Sequence, residues 1–240
     1  MGKSLIEQVL YLPQMNSFNK NFHDSGFNIV SPFLNQEECL SIGDSVAQLK
    51  VDSIGTRNLL DLPWCQNLVS KIRSHDQISL MLPVSAVAVQ CTYFEKSKDQ
   101  NWLVSIHQDL SIPVKEKVDH PDLIGWTEKE GTTFVQPPSD VLNQLVAVRV
   151  HIDECGHDDG PLRLVAGSHN FGRLGTYRAL SLRDELGETT CPVPIGGVLL
   201  MNPLVLHASS KSIGNSKRRV LHFVFGPPDL PFGLKWKSCF

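Results

Sequence analysis

The sequence predicts a mainly β fold: a sandwich or barrel over residues 84–226, mixed helical support over 1–83, and a tail over 227–240. Three observations carry this. From residue 84 onward, short runs rich in β-branched and aromatic residues recur with turn signals between them, the pattern of sandwiches and barrels. The 240 residues include 17 glycines and 15 prolines, so turns are many and long helical runs few. Apolar residues make up 41% and charged residues 20%, which suits a packed core and not a disordered chain. At about 150 residues per domain the length allows one or two domains. No repeat, low-complexity tract or linker marks a boundary, so one domain is expected.

Phe27, Ile29 and Val30 form a short apolar strand after Asp24-Ser25-Gly26. Asn35 with Glu38 three residues later is a capping-box signature for a helix running toward Leu49. Asp61 is expected to cap a second helix, which continues after Pro63 through Trp64, Leu68, Val69 and Ile72. Both helices are expected to pack against a sheet.

The strands of the core follow in order. Val84 to Phe94 is the first, and Leu103, Val104 and Ile106 lead into His107. Leu145 to Asp153 alternates, with Leu145, Ala147, Arg149, His151 and Asp153 on one face and Val146, Val148, Val150 and Ile152 on the other. Asp158-Asp159-Gly160-Pro161 is a turn, Leu162 to Val165 a strand, and Gly167-Ser168-His169 closes it. Ile195-Gly196-Gly197 opens Val198 to Met201, followed by strands at Leu204 to His207 and Arg218 to Phe225. Residues 110–143 break this rhythm with four prolines and two glycines. A loop this long in a compact domain is uncommon and usually functional. It is expected to lack regular structure and to act as a lid over the barrel mouth; the alternative is a structural insertion.

Charge and cysteine usage narrow the function. Lys and Arg total 22 against 25 Asp and Glu, a formal net charge of −3. That offers no basic footprint for nucleic acid and no polybasic membrane patch, and no run approaches the 18 apolar residues of a bilayer span. Neither nucleic acid nor membrane is expected as a partner. The six cysteines form no C-x-x-C pair, so a zinc knuckle or thioredoxin-type motif is excluded. Cys91, in an alternating apolar run, is expected to be a buried thiol. Met1 to Met15 has no uninterrupted apolar stretch, so no signal peptide is expected, and the chain reads as a reduced, cytoplasmic protein.

The informative chemistry begins at His107-Gln108-Asp109. Positions i and i+2 of an extended segment point to the same side, so an imidazole and a carboxylate converge. Two histidines and one carboxylate on one face of a metal, other positions open, form the facial triad of non-haem Fe(II) oxygenases. Alone, H-x-D is common. His207, at the end of an apolar run, supplies the candidate third ligand, and Ser209 lies two residues on. Arg218 heads the next strand, where a hairpin would bring it beside His207; a buried Arg can hold a carboxylate bidentately, with hydroxyl support. Arg219 is the competing anchor, but it would point to the opposite face. Arg149 faces the interior with His151, or pairs with Asp153. Lys96 either points at the same carboxylate or is solvated.

With these motifs the segment 103–226 resembles the phytanoyl-CoA dioxygenase (PhyH-like) family of Fe(II)- and 2-oxoglutarate-dependent oxygenases. The matching residues are His107-Gln108-Asp109, Asp159-Gly160-Pro161-Leu162, Gly167-Ser168-His169, Pro203 through Ser209, and Arg218-Arg219-Val220-Leu221. The stretches Asp24-Ser25-Gly26-Phe27 and Asn35 through Cys39 are similar to that family's entry into its fold. The resemblance implies a double-stranded β-helix, the jelly-roll, cupin-like barrel, with helices outside. It implies Fe(II) on His107, Asp109 and His207, and 2-oxoglutarate held by Arg218 and Ser209, with Arg149 at its other carboxylate or at the substrate. It implies a small-molecule substrate hydroxylated with O2, with release of succinate and CO2. Asp109 fills the position that halogenating relatives leave open for chloride. Arg57, Trp102, Trp126 and His151 are the expected substrate contacts, with Phe134 beside Trp126 as a possible cap. Two other readings stay open at this point: a differently metallated cupin-like enzyme, such as a Zn enzyme, and a non-catalytic binding protein.

Overall fold

Two antiparallel sheets face one another, and the structure, a computed structural model, describes residues 17–49, 55–57, 59–97, 100–214 and 217–240. The larger sheet runs β1 (Phe27–Val30), β11 (Val198–Met201), β8 (Val146–His151), β13 (Arg218–Gly226), β3 (Val87–Lys96), β2 (Gly55–Thr56). The smaller runs β10 (Thr189–Cys191), β9 (Leu162–Leu164), β12 (His207–Ser209), β4 (Val104–His107). The non-consecutive neighbours are those of a jelly roll. The fold is a double-stranded β-helix.

Alternation along β8 builds two cores at once. Val146, Val148, Val150 and Ile152 face outward, where Leu68, Val69 and Ile72 cover them together with Leu221, Phe223 and Phe225. Each such side chain, fully buried, contributes about 1.5–3 kcal/mol relative to exposure. Ala147 faces inward with Leu199 and Met201 against Leu162 and Leu164 of the smaller sheet, and this second core lies between the two sheets.

The outer cover is helical. After α1 (Ser17–Ser25), α2 (Gln36–Ala47) starts with the expected capping box: the Glu38 N–H donates to the Asn35 side chain, and the Asn35 N–H donates to the Glu38 carboxylate. α3 (Pro63–Ser74) and α4 (Asp76–Ser79) follow. Asp61 does not cap α3: Leu62 is the N-cap residue and makes no side-chain cap bond. Pro63, at the first helical position, has no N–H to satisfy. The first core strand starts at Val87 and not Val84, because Ser85 sits in a left-handed turn (φ 63) and Val84 is exposed.

Residues 110–143 are not irregular. They form a third sheet in the order β5 (Ile112–Val114), β7 (Thr132–Gln136), β6 (Ile124–Lys129), followed by the short α5 (Ser139–Leu142). Ile112, Val114, Leu123 and Val135 pack with Leu234 and Trp236 of the C-terminal segment. That segment is no free tail: it bridges Val114 at Trp236, and Phe240 exchanges backbone hydrogen bonds with Ala88. Limited proteolysis should therefore spare β5 and β7 even without ligands; rapid cleavage within 112–114 or 132–136 would contradict a packed insertion.

All six cysteines are free thiols, and Cys91 is fully buried. Among the described residues, no helix is long and apolar enough to cross a membrane.

Candidate metal centre and anion pocket

His107 and His207 are cross-strand partners in the β4–β12 pairing. Their side chains therefore share one face, with ring centroids 4.1 Å apart. Asp109, just past β4, is held by its N–H donating to Pro203 O at 2.9 Å. Its carboxylate oxygens lie 3.7 Å from His107 Nε2 and 3.8 Å from His207 Nε2. One donor atom from each of the three falls within 4.8 Å of the others.

The tautomers follow from hydrogen bonding. His107 Nδ1 lies 2.9 Å from Ser105 O, and His207 Nδ1 lies 2.9 Å from Val205 O. A carbonyl only accepts, so each Nδ1 carries a hydrogen and each Nε2 is the atom turned toward Asp109. Burial pushes the His207 imidazole down to about 4, so it is neutral at pH 7. Two imidazole nitrogens and one carboxylate oxygen facing a common point, with the remaining side open to a cavity, fit a divalent metal of the facial-triad type.

Gln108, between the two ligands, has a role that no sequence signal announces. Its Nε2 donates to Leu204 O at 2.7 Å and Gly172 O at 2.8 Å, and its Oε1 accepts from Leu174 N–H at 2.8 Å. This ties the ligand strand to the segments on either side, so the carboxylate is positioned by a saturated hydrogen-bond set.

The ligands open into a cavity of about 460 Å³. Arg149, Ser209, Arg218, Arg57 and Trp102 line it, as do Gln90, Thr92, Phe94, Phe134 and His222. Lys96 stands behind Ser209: its Nζ donates to Ser209 Oγ at 2.9 Å and to Ser210 O at 2.7 Å, and it lies 5.4 Å from the Trp102 ring. Lys96, Arg149 and Arg218 are all buried. Among the described residues none of the three has a carboxylate within ion-pair distance. Arg149 Nη1 donates to His222 Nδ1 at 2.8 Å, Arg218 Nη1 donates to Gly160 O with the Cys155 thiol beside the guanidinium, and among the described residues both Nε atoms lack partners. Burial, with Arg218 and Arg149 adding to it, pushes Lys96 down to about 7. Burying three cations without counter-ions is costly unless an anion completes the site. A dicarboxylate fits that requirement.

Gly160 makes this arrangement possible. It is left-handed (φ +64), and a Cβ there would meet Ser210 O at 2.5 Å, so only glycine lets its carbonyl approach Arg218.

Several expectations are corrected here. Arg218 does not reach the site by a β12–β13 hairpin: the two strands lie in different sheets, and Arg218 faces the metal ligands across the barrel. Arg219 points outward and holds Asp153 through Nε and Nη2, both at 2.8 Å. Asp153 thus leaves the Arg149 face, because β8 ends at His151 and the chain bends there. His151 does not line the cavity; it is buried, and neither ring nitrogen has a partner among the described residues. Trp126 packs instead against the buried cluster that includes Ile112, Val114, Leu123 and Val135, its Nε1 donating to Leu123 O at 3.1 Å. His207 opens its strand, since Leu204 to Leu206 form a buried turn. The sequence reading passed over Gln90, Thr92 and Phe94. Their signal was alternation: with Lys96 they share one face of a buried strand.

The model of the phytanoyl-CoA dioxygenase (PhyH) family matches residues 22–220. The chain belongs to the phytanoyl-CoA dioxygenase family. No curated protein matches it. This family member is similar in structure to HygX from Streptomyces hygroscopicus with nickel, 2-oxoglutarate and hygromycin B bound, at 20% identity and a TM-score of 0.58 over 86% of this chain and 84% of that one. It is also similar to the epimerase SnoN in complex with Fe3+, alpha ketoglutarate and nogalamycin RO, at 12% identity and a TM-score of 0.66 over 90% and 86%. EctD from S. alaskensis, in its apoform, is similar at 13% identity and a TM-score of 0.66 over 90% and 80%. These likenesses support the double-stranded β-helix fold.

Proposed function

We propose that this phytanoyl-CoA dioxygenase family member is an Fe(II)- and 2-oxoglutarate-dependent dioxygenase that hydroxylates a C–H bond of a small molecule. The observation that carries the reading is one cavity holding both a His107–Asp109–His207 donor set and three buried cations without carboxylate partners. His107, Asp109 and His207 would hold the metal. Arg218 and Ser209, with Lys96 behind, would receive the distal carboxylate of 2-oxoglutarate; Arg149, fixed by His222, faces the other end or the substrate. When bound, Fe(II) with 2-oxoglutarate and O2 supplies the oxidising power for C–H hydroxylation, releasing succinate and CO2. The chain's own work is orientation and exclusion of water. Phe94, Trp102 and Phe134 wall the cavity, and Leu110, Ser111, Lys129, Phe134 and Gln136 bring residues 110–143 to its lining. Selectivity is assigned mainly to that insertion, with Arg57 and Trp102 contributing. HygX and SnoN carry 2-oxoglutarate or alpha ketoglutarate with a metal in their structures, which supports the choice of co-substrate. SnoN is an epimerase, so hydroxylation is the part of the reading that product analysis must establish.

The test is succinate release from 2-oxoglutarate by the Fe(II)-loaded protein, dependent on O2 and ascorbate. Succinate formation is expected at a low basal rate and to rise with an accepted substrate. Tight binding of metal and 2-oxoglutarate with no succinate formed would instead make the chain a binding protein, and a Zn-specific activity would make it a different metalloenzyme.

A further inference from the structure

We propose that the substrate is an anionic small molecule with an apolar body, and that Lys129 receives its negative group; this rests on the oxygenase reading above. The apolar side chains of Leu110, Phe94, Phe134 and Val224 form part of the cavity wall. Apart from the metal ligand Asp109, no carboxylate is among the described residues that line it. A cationic substrate would enter an enclosure with no free carboxylate among its described lining, and its charge would be desolvated without a partner. An anion meets the opposite situation.

The rim carries two cations, and only one is open. Arg57 is already countered: Glu130 accepts from its backbone N–H at 3.0 Å and from its Nη1 at 2.5 Å. Lys129, the neighbour of Glu130, has no carboxylate within ion-pair distance among the described residues. Its Nζ stands 5.5 Å from the centroid of the Phe134 ring, and Phe134 is a buried wall of the cavity. The turn fixes this placement. Lys129 pairs with Thr132 in the β6–β7 register, so Phe134 is its diagonal neighbour on the same face. Glu130 (φ 50) and Gly131 (φ 69) both take positive φ, as the tight hairpin that matches strand twist requires. The same turn therefore sends Glu130 toward Arg57 and Lys129 toward the cavity. In this scheme Arg218 and Lys96 serve the distal carboxylate of the co-substrate and Arg149 serves its other end or the substrate, which leaves Lys129 as the rim cation with no carboxylate partner among the described residues.

The experiment uses the native chain loaded with Ni(II) and saturated with 2-oxoglutarate, titrated calorimetrically with three probes that share one body: octanoate, octanol and octylamine. Octanoate should bind tightest and octylamine weakest. Lys129→Met should weaken octanoate by about tenfold, the effect of one charge-assisted hydrogen bond, and Lys129→Glu should reverse the order of octanoate and octylamine. Octylamine binding the native chain as well as octanoate does, an unchanged order in Lys129→Glu, or no probe binding to a chain that takes up both Ni(II) and 2-oxoglutarate would each overturn the proposal. Failure of the native chain to bind Ni(II) or 2-oxoglutarate would overturn the oxygenase reading itself, and the two failures are thereby told apart.

Discussion

His207→Ala is expected to remove stoichiometric divalent-metal binding while leaving the barrel folded. The ring supplies one of only three donors, and its Nε2 lone pair is aimed by the Nδ1–H bond to Val205 O at 2.9 Å. Losing an outer-shell partner alone typically costs 10- to 100-fold in metal affinity, so loss of a ligand should cost more than about 100-fold. The fold should tolerate the change. β12 keeps its backbone pairing with β9 and β4, and the surrounding Leu204, Val205 and Leu206 remain fully buried. His107→Ala should behave alike, with a smaller packing cost because that side chain is 40% exposed. Metal content per chain after Fe(II) or Ni(II) loading, read beside the thermal unfolding midpoint, separates the effects. Native stoichiometry in both variants would refute the assignment of these ligands.

How much of this was legible in the sequence differs residue by residue. The convergence of His107 with Asp109 follows from two-residue alternation, and the capping box of Asn35 and Glu38 is a purely local signal, so both could be read directly. Leu204-Val205-Leu206 was misread as strand because a buried apolar run has the same composition in either case. The turn is set by Asn202, whose Oδ1 accepts from Leu204 N–H and whose carbonyl accepts from Val205 N–H. The insertion was misread because its prolines and glycines suggested irregularity. Pro113 lies in β5, an edge strand, where a missing N–H is tolerated, and Gly131 makes the hairpin turn. Trp126 and His151 were misassigned for a different reason. Alternation gives a side of a strand, but the depth along the barrel and the packing of an added sheet are set by contacts distant in sequence, such as the cluster the added sheet shares with Leu234 and Trp236. The same limit explains Arg218: its inward face was legible, whereas its place across the barrel from His207 depends on which sheet β13 joins.

Arg218→Ala is expected to weaken 2-oxoglutarate by about 30- to 4,000-fold, the equivalent of roughly 2–5 kcal/mol for leaving one member of a buried charge pair alone. The guanidinium is 4% exposed; its Nη1 donates to the Gly160 carbonyl, the Cys155 thiol lies beside it, and its Nε has no partner among the described residues, so donors remain available to a carboxylate. Arg219→Ala supplies the contrast. Its loss strips Asp153 of two 2.8 Å bonds on the outer face, which should lower stability by about 1–3 kcal/mol and leave 2-oxoglutarate affinity near native. Lys96 adds a pH signature. In the free protein burial, Arg218 and Arg149 push it down to about 7, with Arg163 also lowering it and Cys155 opposing. An arriving carboxylate favours the charged form. Affinity should therefore be highest below pH 7 and fall as pH rises through that value, where binding must also supply a proton to the ammonium. Lys96→Met should bind more weakly at low pH and lose that dependence. Titrations of 2-oxoglutarate into the Ni(II)-loaded variants across pH 6 to 9 measure all three effects. If Arg219→Ala, and not Arg218→Ala, raises the dissociation constant, the inward face of β13 is not where the co-substrate is held. If the pH dependence persists in Lys96→Met, another group carries that titration.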